Sequence, residues 1–253
     1  MNQGTAGKRP FVLVHGAYHG GWCWSPVAER LRAAGHAVHT PTLIGLGNRA
    51  HLGHPGIGLE DHILDVVGLV RRLGLNDLVL VGHSYAGMVI EGACDRLRDA
   101  VAHAVFLDGA IPADGESAFP ALDAATLEQR FGPYVDGYLV PVPRDVARLG
   151  IPAANVELTE LVRRQLTPHP MRAWTDRLRL RHGGSSGLTR SYVYCTVKGP
   201  DQKPNARVAI VRDDPAWGYH ELACGHDAML AAPDLTTALL LRLVAQDAPE
   251  KGL

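Results

Sequence analysis

Short unbroken apolar runs alternate with amphipathic segments along the first hundred residues. Phe11-Val12-Leu13-Val14 is such a run, halted by His15-Gly16. Its continuity predicts a parallel strand buried on both faces. Residues 26–34 then place Val27, Leu31 and Ala34 on one face, with Ser25 as a cap, Pro26 in the first turn and Gly35 as a stop, which predicts a crossover helix. The alternation continues through a strand over 36–40, a helix over 59–73 closed by Gly74, a strand over 78–82, a helix over 85–97 and a strand over 101–107 that ends at Asp108. Such a βαβαβαβ series implies right-handed crossovers within one sheet.

From 111 to about 188 the alternation lapses into Pro-rich turns and helical fragments over 123–130, 157–166 and 171–180, with no strand evident. Strands over 191–195 and 219–224 and an apolar helix over 233–246 restore it. The expected fold class is α/β, with a six-stranded, mostly parallel sheet flanked by helices. Its core spans 10–110 and 189–247, residues 1–9 form a flexible tail, and 111–188 is an insertion over the sheet's carboxyl edge, where open α/β sheets bind ligands.

Composition narrows the function classes. Lys+Arg 25 against Asp+Glu 26 gives a net charge of −1, so no electrostatic argument favours nucleic acid. Hydrophobic residues at 46% and charged residues at 20% describe a globular chain, without the roughly 18 consecutive apolar residues of a membrane span. Cys23, Cys94, Cys195 and Cys224 are widely spaced and lack a Cys-x-x-Cys pattern, which predicts reduced thiols, no structural zinc and a cytoplasmic location.

The sharpest chemical signal is Val81-Gly82-His83-Ser84-Tyr85-Ala86-Gly87, where a buried strand turns directly into a helix. This pattern predicts a nucleophile elbow: small residues permit a tight turn, and the serine hydroxyl is presented at a helix N-terminus that favours an anionic intermediate. Serine alone is a poor nucleophile and needs a base held by a third group. Gly225-His226-Asp227 follows the last strand and puts His226 at the same sheet edge as Ser84. The oxyanion formed on attack needs two backbone N–H donors. Tyr85, after the nucleophile, is one candidate, and Ala17, in the loop after the first strand, is the other.

These segments, with Gly21-Trp22-Cys23-Trp24 and Gly45-Leu46-Gly47-Asn48-Arg49-Ala50-His51-Leu52, resemble the α/β-hydrolase superfamily. Within it the likeness is to the group of bacterial carboxylesterases, plant methylesterases and hydroxynitrile lyases, over about 11–244. The resemblance implies an α/β-hydrolase fold, a helical cap formed by the insertion, and catalysis without cofactor or metal. It does not supply the triad acid directly. The position that carries it in the lyases and methylesterases is Lys198, which cannot orient an imidazolium. Asp108, ending the strand after the nucleophile strand, is the first choice, since some superfamily members carry their acid there. Asp201 looping back and a Ser/His dyad stay open. A cation at the Lys198 position would oppose protonation of His226 unless it turns outward to water. The lyase pattern needs a threonine in the first loop and a lysine after the histidine, where this chain has Gly16 and Asp227.

Other signals fail their context. Gly45 to Ala50 fits G-x-G-x-x-A but precedes Gly53, Pro55 and Gly56 rather than a helix, and His51 with His54 lacks further zinc ligands. Gly16, Trp22, Tyr138 and Trp174 are expected substrate-pocket residues. The reading as a whole is a serine carboxylesterase acting on a small apolar or aromatic ester, with no nucleic-acid or membrane partner and a homodimer left open. A natural-product thioesterase, cyclase or lyase, or a non-catalytic ligand receptor, are the alternatives.

Overall fold

The computed structural model describes residues 8–119, 123–152, 154–198 and 206–246. The expected tail is therefore seen only at Lys8 and Arg9, and Asp201 lies outside the described residues. In chain order the elements are β1 (Phe11–Val14), α1 (Ser25–Ala33), β2 (Val38–His39), α2 (Leu59–Leu73), β3 (Leu78–His83), α3 (Ala86–Arg96) and β4 (Val101–Leu107). Then come α4 (Ala124–Phe131), β5 (Leu139–Val140), α5 (Val156–Gln165), β6 (His169–Pro170) and α6 (Met171–Thr175). The chain closes with β7 (Thr189–Cys195), α7 (Ala206–Asp213), β8 (Gly218–Leu222), α8 (Ala228–Ala231) and α9 (Pro233–Gln246).

Six strands form one sheet in the order β2-β1-β3-β4-β7-β8, and every pairing in it is parallel. The apolar runs read from the sequence are its centre: all residues of β1 and β3 are buried, because helices cover both faces. In α2, Ile63, Val66, Val67 and Val70 form the buried stripe. Gly74 ends that helix in the left-handed conformation at φ 62°, which glycine adopts without steric cost.

Three local expectations are corrected in the insertion and beyond it. A two-stranded antiparallel pair, β5 with β6, occurs where no strand was expected; two-residue strands are too short to show a period. The helix expected to reach 180 stops at Thr175, since Leu178 exchanges backbone hydrogen bonds with Gly115 and Glu116, and Leu180 N–H donates to Asp114. The Arg-Leu-Arg-Leu stretch is thus an extended segment of period two. Helix α7, which buries Val208 and Val211, had no counterpart in the sequence reading. Among the described residues no helix is long and apolar enough to cross a membrane.

Candidate active site

Ser84 follows β3 directly and enters α3 through Tyr85. Its φ of 53° is left-handed, a conformation that a serine keeps only where its surroundings impose it. They do: Ser84 N–H donates to Leu107 C=O at 3.1 Å, and its carbonyl accepts from Gly87 and Ala110 at 3.1 and 2.9 Å. Gly82 is required by the same turn, because a Cβ there would lie 2.8 Å from the Ala86 carbonyl. Asp108, at the end of the neighbouring strand β4, is left-handed too, at φ 43°, and is fixed by its N–H to Val193 C=O at 2.7 Å.

Three elements bring three side chains into line. His226 lies in the loop between β8 and α8, with Nε2 2.9 Å from Ser84 Oγ and Nδ1 2.6 Å from Asp108 Oδ2. A carboxylate only accepts, so His226 Nδ1–H donates to Asp108 and Nε2 is free to accept the serine proton. The Asp108 side chain is 6% exposed. Burial pushes its carboxyl upward, but the hydrogen bond and charge of His226, then those of Lys198, outweigh burial and hold its pKa down to about 2.

Lys198 does not turn outward to water. Its Nζ lies 2.7 Å from each Asp108 oxygen and over the Tyr194 ring at 4.4 Å. An enclosed carboxylate with more acceptor capacity than one imidazole fills draws the ammonium inward.

Ala17 and Tyr85 border the same cavity as Ser84, a space of about 1090 Å³. Neither N–H donates a hydrogen bond to any described residue. Insertion residues Phe119, Phe131, Val142, Leu149 and Trp174 supply its apolar wall. Of the four expected pocket residues only Trp174 lines the cavity. Gly16 is packed behind the serine, where a Cβ would lie 3.0 Å from Ser84 Cβ. Trp22 stacks on His19 at 5.5 Å, and the Tyr138 hydroxyl faces Gly53.

Several buried histidines around the elbow were not assigned roles from sequence, since isolated histidines carry no periodic signal. Burial lowers His15 to about 3 and His62 to about 4, so both are neutral. His15 Nε2 accepts from Leu43 N–H at 3.0 Å, leaving Nδ1–H to donate to the Gly16 carbonyl at 2.8 Å. The 16–17 peptide that carries the Ala17 N–H is thereby held from its other side. His62 Nε2–H donates to Ile44 C=O at 3.0 Å, so its Nδ1 accepts from the Tyr85 hydroxyl at 2.9 Å.

The sequence model of the alpha/beta hydrolase family matches residues 11–239. A carbendazim-hydrolysing esterase from a Nocardioides species is 36% identical over 236 residues, covering 88% of this chain and 95% of that protein. Esterase PIR7B of rice is 38% identical over 120 residues, 46% of this chain and 44% of its own length. Among solved structures, an extracellular alpha/beta-hydrolase from a Paenibacillus species superposes with a TM-score of 0.77 over 92% of this chain and 98% of that one, at 23% identity.

Proposed function

Because the chain belongs to the alpha/beta hydrolase family, we propose that it is a carboxylesterase working through an acyl-enzyme on Ser84. The observation that carries the mechanism is the line Ser84 Oγ, His226, Asp108, at 2.9 and 2.6 Å. His226 Nε2 takes the serine proton as Oγ attacks the ester carbonyl carbon. The tetrahedral oxyanion is held by the unshared N–H groups of Ala17 and Tyr85, and Asp108 stabilises the imidazolium. The C–O bond to the alcohol breaks, with the departing oxygen taking the proton from His226. Water, deprotonated by the same nitrogen, then releases the acid and restores Ser84.

The insertion 111–188 acts as a cap whose aromatic side chains select a small apolar or aromatic ester. The four cysteines are free and buried, which supports the cytoplasmic location expected from sequence. The test is covalent: a fluorophosphonate labels the wild type at Ser84 and leaves Ser84→Ala unlabelled, and Ser84→Ala loses turnover on a panel of esters of varied chain length and ring content. An unlabelled wild type, or a Ser84→Ala variant with near-normal turnover, overturns the reading.

A further inference from the structure

Bordering the same cavity as Ser84 is a second charged pair, His19 with Asp227, that has no part in the proton transfer just described. His19 is 1% exposed and Asp227 is fully buried. One ring nitrogen of His19, Nε2, is 3.0 Å from Asp227 Oδ2, and the other, Nδ1, is 2.7 Å from the Ala17 carbonyl. Both partners are acceptors, so both nitrogens donate and the ring is an imidazolium. Burial alone would strip that charge, but the attraction and hydrogen bond of Asp227, with the Ala17 carbonyl, raise His19 above its ordinary range. Burial would likewise neutralise Asp227, and His19 outweighs it and keeps the carboxyl low.

Each member adjoins a part of the proposed machinery. Asp227 follows His226 in sequence, and its N–H donates to Leu149 C=O at 2.8 Å. Ala17 is the proposed oxyanion donor, and the next residue, Tyr18, is left-handed at φ 68°. A turn that holds a tyrosine there relaxes unless it is tied down. His19 ties the Ala17 carbonyl of the 17–18 peptide, beside the Tyr18 N–H that donates to His169 Nδ1 at 3.4 Å and the Tyr18 carbonyl that accepts from Thr167 N–H at 2.9 Å. A buried ion pair contributes little more stability than well-packed apolar residues, so stability alone does not account for this one.

We propose that the His19–Asp227 ion pair is a positioning device: it ties the first loop to the histidine loop and, by holding the Ala17 carbonyl in the 17–18 peptide, fixes Ala17 so that the N–H on its other side meets the oxyanion. The proposal rests on the esterase reading. It carries a pH signature. The groups facing His19 are Asp227 from the histidine loop, His83 from the elbow, His15 just after β1, and Trp22 and the Ala17 carbonyl from its own loop, while Cys23, His83 and His226 face Asp227. Burial lowers His15 and His83 to about 3 and raises the Cys23 thiol, so His19 is the member that carries the charge and loses its proton above the ordinary histidine range. When it loses a proton, Nε2–H stays on the carboxylate, and the bare Nδ1 lone pair then opposes the Ala17 carbonyl. Asp227→Asn removes this conflict, because the amide can donate to Nε2 of a neutral ring whose Nδ1–H remains on Ala17.

The experiment compares wild type, His19→Phe and Asp227→Asn by ester kinetics across pH and by affinity for a trifluoromethyl ketone, which adds to the serine as a tetrahedral oxyanion. His19→Phe should lose about 10²-fold in kcat, the scale of one missing oxyanion donor, with KM within about twofold and ketone affinity down by the same factor. Asp227→Asn should lose about tenfold or less and lack the alkaline fall in kcat that wild type shows. Wild-type kcat and ketone affinity in His19→Phe overturn the proposal, as does an alkaline fall that persists in Asp227→Asn. Should His19→Phe not fold, the pH profile of Asp227→Asn decides alone. A wild type that forms no ketone adduct removes the esterase reading and this proposal together; an intact adduct with unaffected variants removes only the proposal.

Discussion

At the scale of single residues, Asp108, the triad acid of the proposed mechanism, lies between the His226 ring and the Lys198 ammonium, and its electrostatics give a stability that depends on pH. Asp108 is held at about 2 in the folded chain, against about 3.9 for a free aspartate. A depressed pKa contributes stability that is present above the unfolded value and disappears as pH falls through the folded one. That contribution is about 2–3 kcal/mol. Urea unfolding should show Asp108→Asn less stable than wild type at pH 7, with the gap closing between about pH 4 and pH 2. Lys198→Met should move Asp108 toward the ordinary range and start the wild-type loss at higher pH. A gap between wild type and Asp108→Asn that stays constant down to pH 2 refutes this account. The placement of Asp108 was legible in the sequence, because strand order puts the end of β4 beside the turn that carries Ser84. The inward turn of Lys198 was not legible, because it depends on how much acceptor capacity an enclosed carboxylate leaves unfilled.

At the scale of elements, the strands and long helices of the sheet were readable because period and length agree, as in β1, α2 and β4. What escaped was structure fixed by partners distant in sequence. Asp95 in α3 shows why: its carboxylate accepts from the N–H groups of Arg181, His182 and Gly184 at 2.9, 2.6 and 3.1 Å. No local pattern predicts a helix residue that organises a loop more than eighty positions later. Burial raises this carboxyl, and the three backbone donors outweigh burial and lower it. Asp95→Ala leaves those donors without a protein partner and should cost about 3 kcal/mol, hence roughly 10 °C in Tm. Turnover at 25 °C should stay within about threefold, as the loop leads into β7 at the end away from the cavity. An unchanged melting temperature would show that the carboxylate is dispensable to the loop.

At the scale of the whole molecule, the insertion is joined to the chemistry through backbone as well as through its aromatic wall. Gly150, at φ 75°, sits so close to the histidine loop that a Cβ would lie 2.2 Å from His226 N and 2.7 Å from Gly225 Cα. Gly225 meets the Gly150 carbonyl just as closely from the other side. The sequence shows two separate glycines 75 positions apart, and only the assembled fold makes them one contact. Gly150→Ala must therefore move either the insertion or His226. A displacement of about 1 Å at a catalytic group costs on the order of 10²-fold. Ester turnover and the rate of fluorophosphonate labelling at Ser84 should both fall by about that factor, while the folded content by circular dichroism stays the same. Gly137→Ala is the control, since Gly137 shares the left-handed backbone at φ 74° with nothing within 4 Å of its added carbon. It should bear the conformational strain without the loss of turnover. Equal losses in both variants would assign the effect to strain, and normal turnover in Gly150→Ala would mean that the insertion yields at this contact and leaves His226 in place.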